Sequence, residues 1–596
     1  MQPIDVAPKV ERVLQRAVVS LMLATSLLLA FRTPTFDFDE ALYRRVAEEM
    51  KASGHYFGLT WDGHPFLEKP PTYIWTIVAS SRLIDGRTNS VSGVAARLPS
   101  LLFSLLTAVL LAWFWRKRRH GRRFSSPLFP VIAFGAALFP MIQVTSVLLD
   151  PMLTFFTTIV LVVLSAAFER SDGIRIELSK REIVIAALAI TAAVAVKGLY
   201  GLVAPAIALV AHIVLSSLAD RDGSPIRQIF AARLIGVVRA AAPLFVLSAA
   251  LSAIVLFVFY REAGASFIYE FLVRQHFARG AHAFQGHKGP FWYYLALLIA
   301  GGPSAVFLCV ALAAKDRVAQ GFASWGFPLS WSAGILAFIS SLATKLPNYA
   351  WPVWPAIALS LCIIMDRPRE TEHRSRRSFV SYAAWTGIAA SVLLAAISLA
   401  LAWRFDAFVT FARRSLRTFT LLRLLDPLPL LVRAGLLLVA IAFAAQGFVQ
   451  WKFARAAGDA RRASTLIAAA ASLNCMVLLV VCGTVLPFVN TTIRGPLVRV
   501  ARLASSMSRQ DLTTVGLFSP TISSNYFGDH LTQVGSIASL QTASRRFVII
   551  PAWQLRVCRT CEVLRRDGYL LLCSQGSPIQ TAREESVVRI SSRPEP

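Results

Sequence analysis

The run Leu101-Leu102-Phe103-Ser104-Leu105-Leu106-Thr107-Ala108-Val109-Leu110-Leu111-Ala112-Trp113-Phe114-Trp115 is closed by Arg116-Lys117-Arg118-Arg119-His120-Gly121-Arg122-Arg123. With the residues back to 92 it is long enough to cross a hydrocarbon core of roughly 30 Å as a helix. A dense basic cluster directly behind such a run marks the cytoplasmic end of a membrane span. The same pairing of apolar run and basic loop recurs along the first 490 positions, so the chain reads as an all-α polytopic membrane protein. Its composition agrees: 56% of the 596 residues are hydrophobic, and the mean hydropathy is +0.58.

Thirteen candidate spans follow, at about 12–32, 92–115, 126–147, 151–168, 182–196, 199–218, 233–260, 290–314, 326–343, 348–365, 379–402, 430–450 and 464–489. The first is preceded by Lys9, Arg12 and Arg16 and has no small-residue cleavage site behind it, so it reads as an uncleaved span. The connections after spans two, four, six, eight, ten and twelve are all basic, among them Arg170 to Arg181, Arg367 to Arg377 and Lys452 to Arg462. All six share the side of the N-terminus, which is therefore cytoplasmic. The net charge of +28 is thus a matter of membrane topology, and nucleic acid is not an expected partner. The connection after span eleven breaks the rule with Arg404, Arg413, Arg414, Arg417 and Arg423. Interleaved with Phe408, Phe411, Leu416 and Phe419, these suggest an amphipathic helix lying in the interface.

The domain reading is a transmembrane unit over 1–490, with a large periplasmic loop at 33–91, and a C-terminal domain over 491–596. The latter changes to short β-like runs, Thr513 to Phe518, Phe547 to Ile550 and Tyr569 to Cys573, as a small periplasmic α/β appendage would. Its Cys558, Cys561 and Cys573 lie on the oxidising side, where a disulfide outweighs a zinc site lacking a fourth ligand.

Topology also sorts the charges. Asp39, Glu40, Glu68, Lys69, Asp150, Lys197, Arg279, His276, His287 and Lys345 all fall on the non-cytoplasmic side, from five separate connections. Charged groups gathered beside spans line a polar cavity more often than they stand alone. No phosphate-cradling G-x-x-x-x-G-K-[ST] or G-x-G-x-x-G is present, so a donor has to arrive by the membrane. In the first loop, Phe36-Asp37-Phe38-Asp39-Glu40 opens a helix, where Asp39 is either a cap or a chemical group. Glu68-Lys69-Pro70-Pro71 follows, its prolines stiffening the backbone that carries the ammonium, as a phosphate ligand requires.

The ordered set Asp39-Glu40-Ala41-x-Tyr43, Glu68-Lys69-Pro70-Pro71, Ala95-Ala96-Arg97-Leu98-Pro99-Ser100, Asp150-Pro151, Lys197-Gly198, His276-Phe277-Ala278-Arg279, Pro290-Phe291-Trp292-Tyr293-Tyr294 and Lys345-Leu346-Pro347-x-Tyr349 resembles the bacterial type C glycosyltransferases. That superfamily includes the transferases that add 4-amino-4-deoxy-L-arabinose to lipid A and the protein O-mannosyltransferases. The resemblance spans residues 36 to 355 and implies the type C glycosyltransferase fold with about 13 spans and a periplasmic C-terminal domain. It departs at Leu42, where the family commonly has Arg, and at Gln275, where it commonly has Glu.

The implied activity is an inverting transfer, at the periplasmic face of the bacterial inner membrane, from a polyprenyl-phosphate sugar donor to a glycolipid acceptor such as lipid A. A protein acceptor and, from another class, a secondary transporter are the alternatives. Asp39 is the expected base, with Asp150 and Glu40 as further catalytic residues. Lys69, Arg279, Tyr43, Lys345, Tyr349, Arg97 and His287 are the expected substrate-binding residues. Glu68 with His276 would suit a divalent cation, against the plainer reading of ordinary polar loop residues. The Phe291-Trp292-Tyr293-Tyr294 run reads as an interfacial aromatic belt.

Overall fold

The computed structural model describes Val6 to Gln575 except residues 33–37, 62, 119–125, 145, 172–175, 220–224, 284–286, 315–320, 367–376, 406, 408–427, 457–459, 497–498, 501–511, 515–531, 534–546, 552–560 and 569. The chain divides into two compact units, Met1–Val489 and Asn490–Pro596. Among the described residues of the first, nine helices are long and apolar enough to cross a membrane, so the protein is a multi-pass membrane protein.

The helices begin α1 (Val6–Arg32), α2 (Phe38–Ser53), α3 (Thr72–Ile84), α4 (Gly93–Lys117), α5 (Phe129–Gly135), α6 (Leu138–Gln143), α7 (Asp150–Arg170), α8 (Lys180–Lys197), α9 (Tyr200–Ala219) and α10 (Ile226–Ala263). Local chemistry sets their ends. Ser92 caps α4 by accepting from the Ala95 amide, and Ser179 with Glu182 forms a reciprocal capping box on α8. Asp150 and Pro151 start α7, a carboxylate and a proline in the turn whose free amides favour both. Gly198, at φ 72°, ends α8 in a conformation that side-chain-bearing residues resist.

Several apolar runs that read as continuous spans are interrupted. The run at 126–147 becomes α5 and α6, broken where Pro140 has no amide to continue the ladder. The run at 290–314 splits into Tyr293–Gly301 and Pro303–Ala314, with Gly302 extended before Pro303. The run at 348–365 starts as a 3₁₀ turn over Pro347–Val353 before the helix Trp354–Asp366. Hydropathy alone registers length and misses these backbone vetoes. The interfacial helix expected around Arg413, Arg414, Arg417 and Arg423 lies outside the described residues.

The first loop packs down as a lid of helices on one end of the bundle. Strands β1 (Thr60–Trp61) and β2 (His64–Pro65) form a short hairpin between α2 and α3. Leu42, Val46, Met50, Phe66, Tyr73 and Ile77 form one buried cluster with Ala95, Ala96, Leu149, Met152 and Val196. The ends of α4, α7 and α8 that carry Arg97, Asp150 and Lys197 are thereby roofed.

The second unit contains a five-stranded mixed sheet in the order β4-β3-β5-β7-β6, from β3 (Leu512–Thr514), β4 (Thr532–Gln533), β5 (Phe547–Pro551), β6 (Cys561–Asp567) and β7 (Leu570–Gln575). Val548, Ile549 and Ile550 are successive and all buried, so both faces of the central strand are covered. Cys573 is buried with a free thiol. Its cross-strand neighbours are Val548 and Val563, while Cys561 sits opposite Gln575. The expected disulfide therefore does not include Cys573, and Cys558 lies outside the described residues.

Candidate active site

Four segments meet at the roofed end of the bundle: the start of α7, the α8–α9 corner, the π-helical turn Ile268–Ala278 and the segment from Thr344 to Val353. Asp150, 1% exposed, forms an ion pair with Lys197 and accepts a hydrogen bond from Asn348 Nδ2 at 2.8 Å. The Lys197 ammonium lies 5.0 Å from the centre of the Tyr349 ring. The Tyr200 hydroxyl donates to the Tyr349 carbonyl at 3.2 Å. Asp150 is thus held between a cation and an amide, while the Lys197 side chain remains 14% exposed.

His276 locks this corner to the π-helical turn. Its Nδ1–H donates to the Phe271 carbonyl at 2.6 Å, and its Nε2 accepts from the Leu199 amide at 3.1 Å. Nε2 also lies 3.3 Å from the Lys197 carbonyl, so the ring is held to the α8–α9 corner by two backbone groups. A Cβ on Gly198 would lie 2.4 Å from Nε2, so only glycine admits this approach. Burial pushes the imidazole below its ordinary value, and the nearby Lys69 and Lys197 charges push the same way. His276 is therefore a tether with both ring nitrogens engaged by backbone groups. Among the described residues, no three His, Cys, Asp or Glu side chains gather as a metal site.

Lys69 stands on the roof, on the rigid Pro70-Pro71 turn, half-buried, with Nζ donating to the Glu68 carbonyl at 3.2 Å. Its charge is felt at His276, and that of Glu68 at Arg274. The loop thus faces the π-helical turn. Arg279 Nη1 donates to Gln275 Oε1 at 2.9 Å, an orienting partner that adds no negative charge. The Arg279 and His282 carbonyls accept from Thr344 Oγ1 at 2.8 and 3.1 Å, and the His287 carbonyl from the Lys345 amide at 3.0 Å. These bonds bind the 279–287 loop to the 344–349 segment. His287 itself is exposed, and partial burial, then the Arg279 charge, hold its imidazole low.

Three expected ligands have other work. Arg97 and Glu40 are 2% and 3% exposed and pair with each other, Nη2 to Oε1, at 2.6 Å. They staple α2 to α4. Lys345 is 5% exposed and turns its ammonium back onto the carbonyls of Ile339, Ser340 and Leu342. It caps the C-terminal end of the helix Phe327–Ser341, where a cation is favoured. Tyr43 is buried edge-on against Tyr73, 5.7 Å between centroids. Asp39 lies in the first turn of α2, its side chain outside the described residues. Of the aromatic run, Phe291 and Trp292 are exposed, as belt residues are, whereas Tyr294 is buried and bonds the Leu346 backbone. Asn348, the second partner of Asp150, carried no signal in the sequence beyond its place between Pro347 and Tyr349.

The chain is similar to known proteins in sequence and in fold. Residues 57–260 match the family described as dolichyl-phosphate-mannose-protein mannosyltransferase. The chain is 26% identical over 324 residues to an undecaprenyl phosphate-alpha-4-amino-4-deoxy-L-arabinose arabinosyl transferase of Erwinia tasmaniensis, covering 54% of each chain. It is 26% identical over 372 residues to one from Proteus mirabilis, covering 61% of each. The matched stretch is thus little more than half the length of these relatives. The crystal structure of ArnT from Cupriavidus metallidurans bound to undecaprenyl phosphate superposes with a TM-score of 0.65 at 18% identity, over 95% of this chain and 99% of that one. The chain has the fold of a type C glycosyltransferase. In this chain the roof loop, the α7 and α8 ends and the 344–353 segment converge, so motifs scattered across some 300 residues lie together.

Proposed function

We propose that the protein is an inverting glycosyltransferase that moves a sugar from a polyprenyl-phosphate carrier to an envelope glycolipid such as lipid A. The observation that carries this is the ion pair of Lys197 with the buried Asp150, with Lys69 close enough for its charge to act on His276 at the same corner. A phosphate diester leaves as an anion, so its departure needs charge neutralisation more than a proton. Lys69 and Arg279 would take the phosphate. Asp150, held by Lys197 and Asn348, would orient the sugar or acceptor hydroxyl. Asp39 would be the base that removes the hydroxyl proton. Attack opposite the phosphate then inverts the anomeric carbon through an oxocarbenium-like state. Tyr349 would close the site beside Lys197.

The names of the Erwinia and Proteus relatives support a pentose on undecaprenyl phosphate as donor. The mannosyltransferase match at 57–260 supports a second reading, a protein acceptor. For topology, the nine long helices, together with the α5–α6 pair, α8, the pair 293–314 and the helix Phe327–Ser341, make up thirteen proposed spans. With the basic loops inside, this count supports a site and a C-terminal domain, 491–596, on the periplasmic side of the inner membrane. Mass spectrometry of lipid A and envelope glycans, with and without this chain, tests the acceptor. A sugar missing from lipid A in the deletion supports the first reading, and one missing only from a secreted protein supports the second.

A further inference from the structure

The end of α2 and the turn between α3 and α4 border an open cavity of about 440 Å³, lined by Lys51, Arg82, Gly86, Arg87 and Asn89. We propose that it is a binding site for the phosphate of an anionic membrane-lipid headgroup, separate from the transfer site and independent of the transfer reading.

The cations are pre-positioned. Lys51 Nζ donates to Ser81 Oγ at 2.8 Å and to the Ser90 carbonyl at 3.3 Å, which aims it along the cavity wall. The Arg82 guanidinium lies 5.4 Å from the Tyr56 ring centre and bonds its hydroxyl. Gly86, at φ 67° with open space around it, turns the chain so that Arg82 and Arg87 line one cavity. The nearby carboxylates are directed elsewhere. Asp85 Oδ2 accepts from Ser81 Oγ at 2.7 Å and from the Ser92 amide at 3.0 Å, and Glu48 Oε1 from the Val91 amide at 3.0 Å. These bonds close the loop; the Lys51 charge still acts on both carboxylates, and Arg82 and Arg87 supply the rest of the positive charge that lines the cavity.

Two observations place the ligand in the membrane. Leu83 and Ile84, directly after Arg82, are 84% and 46% exposed, side chains that water does not favour and an interface does. The spanning helix α4 starts at Gly93, six residues after Arg87, so the turn sits at headgroup level by chain continuity. Alkyl side chains beside fixed cations match a headgroup phosphate above its acyl chains, and basic side chains near such a surface gain from anionic lipid.

The test is binding of a fluorescent short-chain phosphatidic acid to the full-length protein in neutral detergent. Arg82→Gln/Arg87→Gln is expected to weaken it about 30-fold, about fivefold for each cation lost. Arg82→Lys/Arg87→Lys should retain most of the binding and show that the fold survives. If Gln and Lys variants bind alike, the proposal is overturned. It is also overturned if inorganic phosphate displaces the probe as well as unlabelled short-chain phosphatidic acid does, which would make this a free-phosphate site. Should the double Gln variant fail to fold, Arg87→Gln alone, expected at about a fivefold loss, decides between the same outcomes.

Discussion

Arg97→Met removes the cation from a pair whose members are 2% and 3% exposed, leaving the Glu40 carboxylate buried opposite a thioether. Breaking a buried pair from one side costs about 3–5 kcal/mol, because the surviving charge has lost water and partner together. The loss is concentrated where it matters: Arg97 joins α4 to α2 through Glu40 and to the end of α1 through the Ala30 carbonyl at 3.3 Å. The roof that carries Lys69 should therefore loosen. The expected result is a clear fall in the thermal midpoint of the detergent-purified protein, with transfer lost in parallel. Glu40→Gln/Arg97→Met, which removes both charges, should regain much of the stability. An Arg97→Met protein that melts like the wild type yet no longer binds substrate would refute the staple and return Arg97 to the site.

Other outcomes follow from the same geometry. Lys69→Ala should weaken binding of a polyprenyl-phosphate donor by more than Lys69→Arg, since Arg keeps the charge and loses only the shape; equal titrations would remove the phosphate role. Gly198→Ala should destabilise by about 2 kcal/mol or more, because its φ is 72° and its Cβ would strike His276; a wild-type melting curve would contradict this. The folded His276 titrates below its ordinary 6.5, so its contribution to stability is complete above that pH and is lost as pH falls through 6.5 towards the depressed value. His276→Gln should flatten that acid limb of the stability profile, and an unchanged limb would place the titration elsewhere.

The fold was legible in the sequence because membrane physics leaves few options: apolar length and basic loops mark the long spans without any tertiary information. Breaks at Pro140 and at Gly302-Pro303 were missed because hydropathy averages over a window in which one absent amide weighs almost nothing. The site was legible as residue types and an order, less so as roles. Asp150, Lys197 and Tyr349 come together at the roofed end. Arg97, Glu40 and Lys345 look the same in sequence as their neighbours, and only distance shows that their charges are spent on one another or on helix carbonyls. Asn348 is the converse, a neutral side chain that no charge-based search selects and that holds Asp150.

The central claim is transfer from a polyprenyl phosphate with Asp39 as base. The direct measurement is movement of radiolabelled sugar from an undecaprenyl-phosphate donor to lipid A by the purified protein in liposomes, wild type beside Asp39→Asn. The expected result is robust transfer by the wild type and a loss of about 10²- to 10⁴-fold in the variant, with an unchanged thermal midpoint. Turnover by Asp39→Asn at the wild-type rate, or a wild type that leaves every polyprenyl-phosphate sugar untouched, would contradict it.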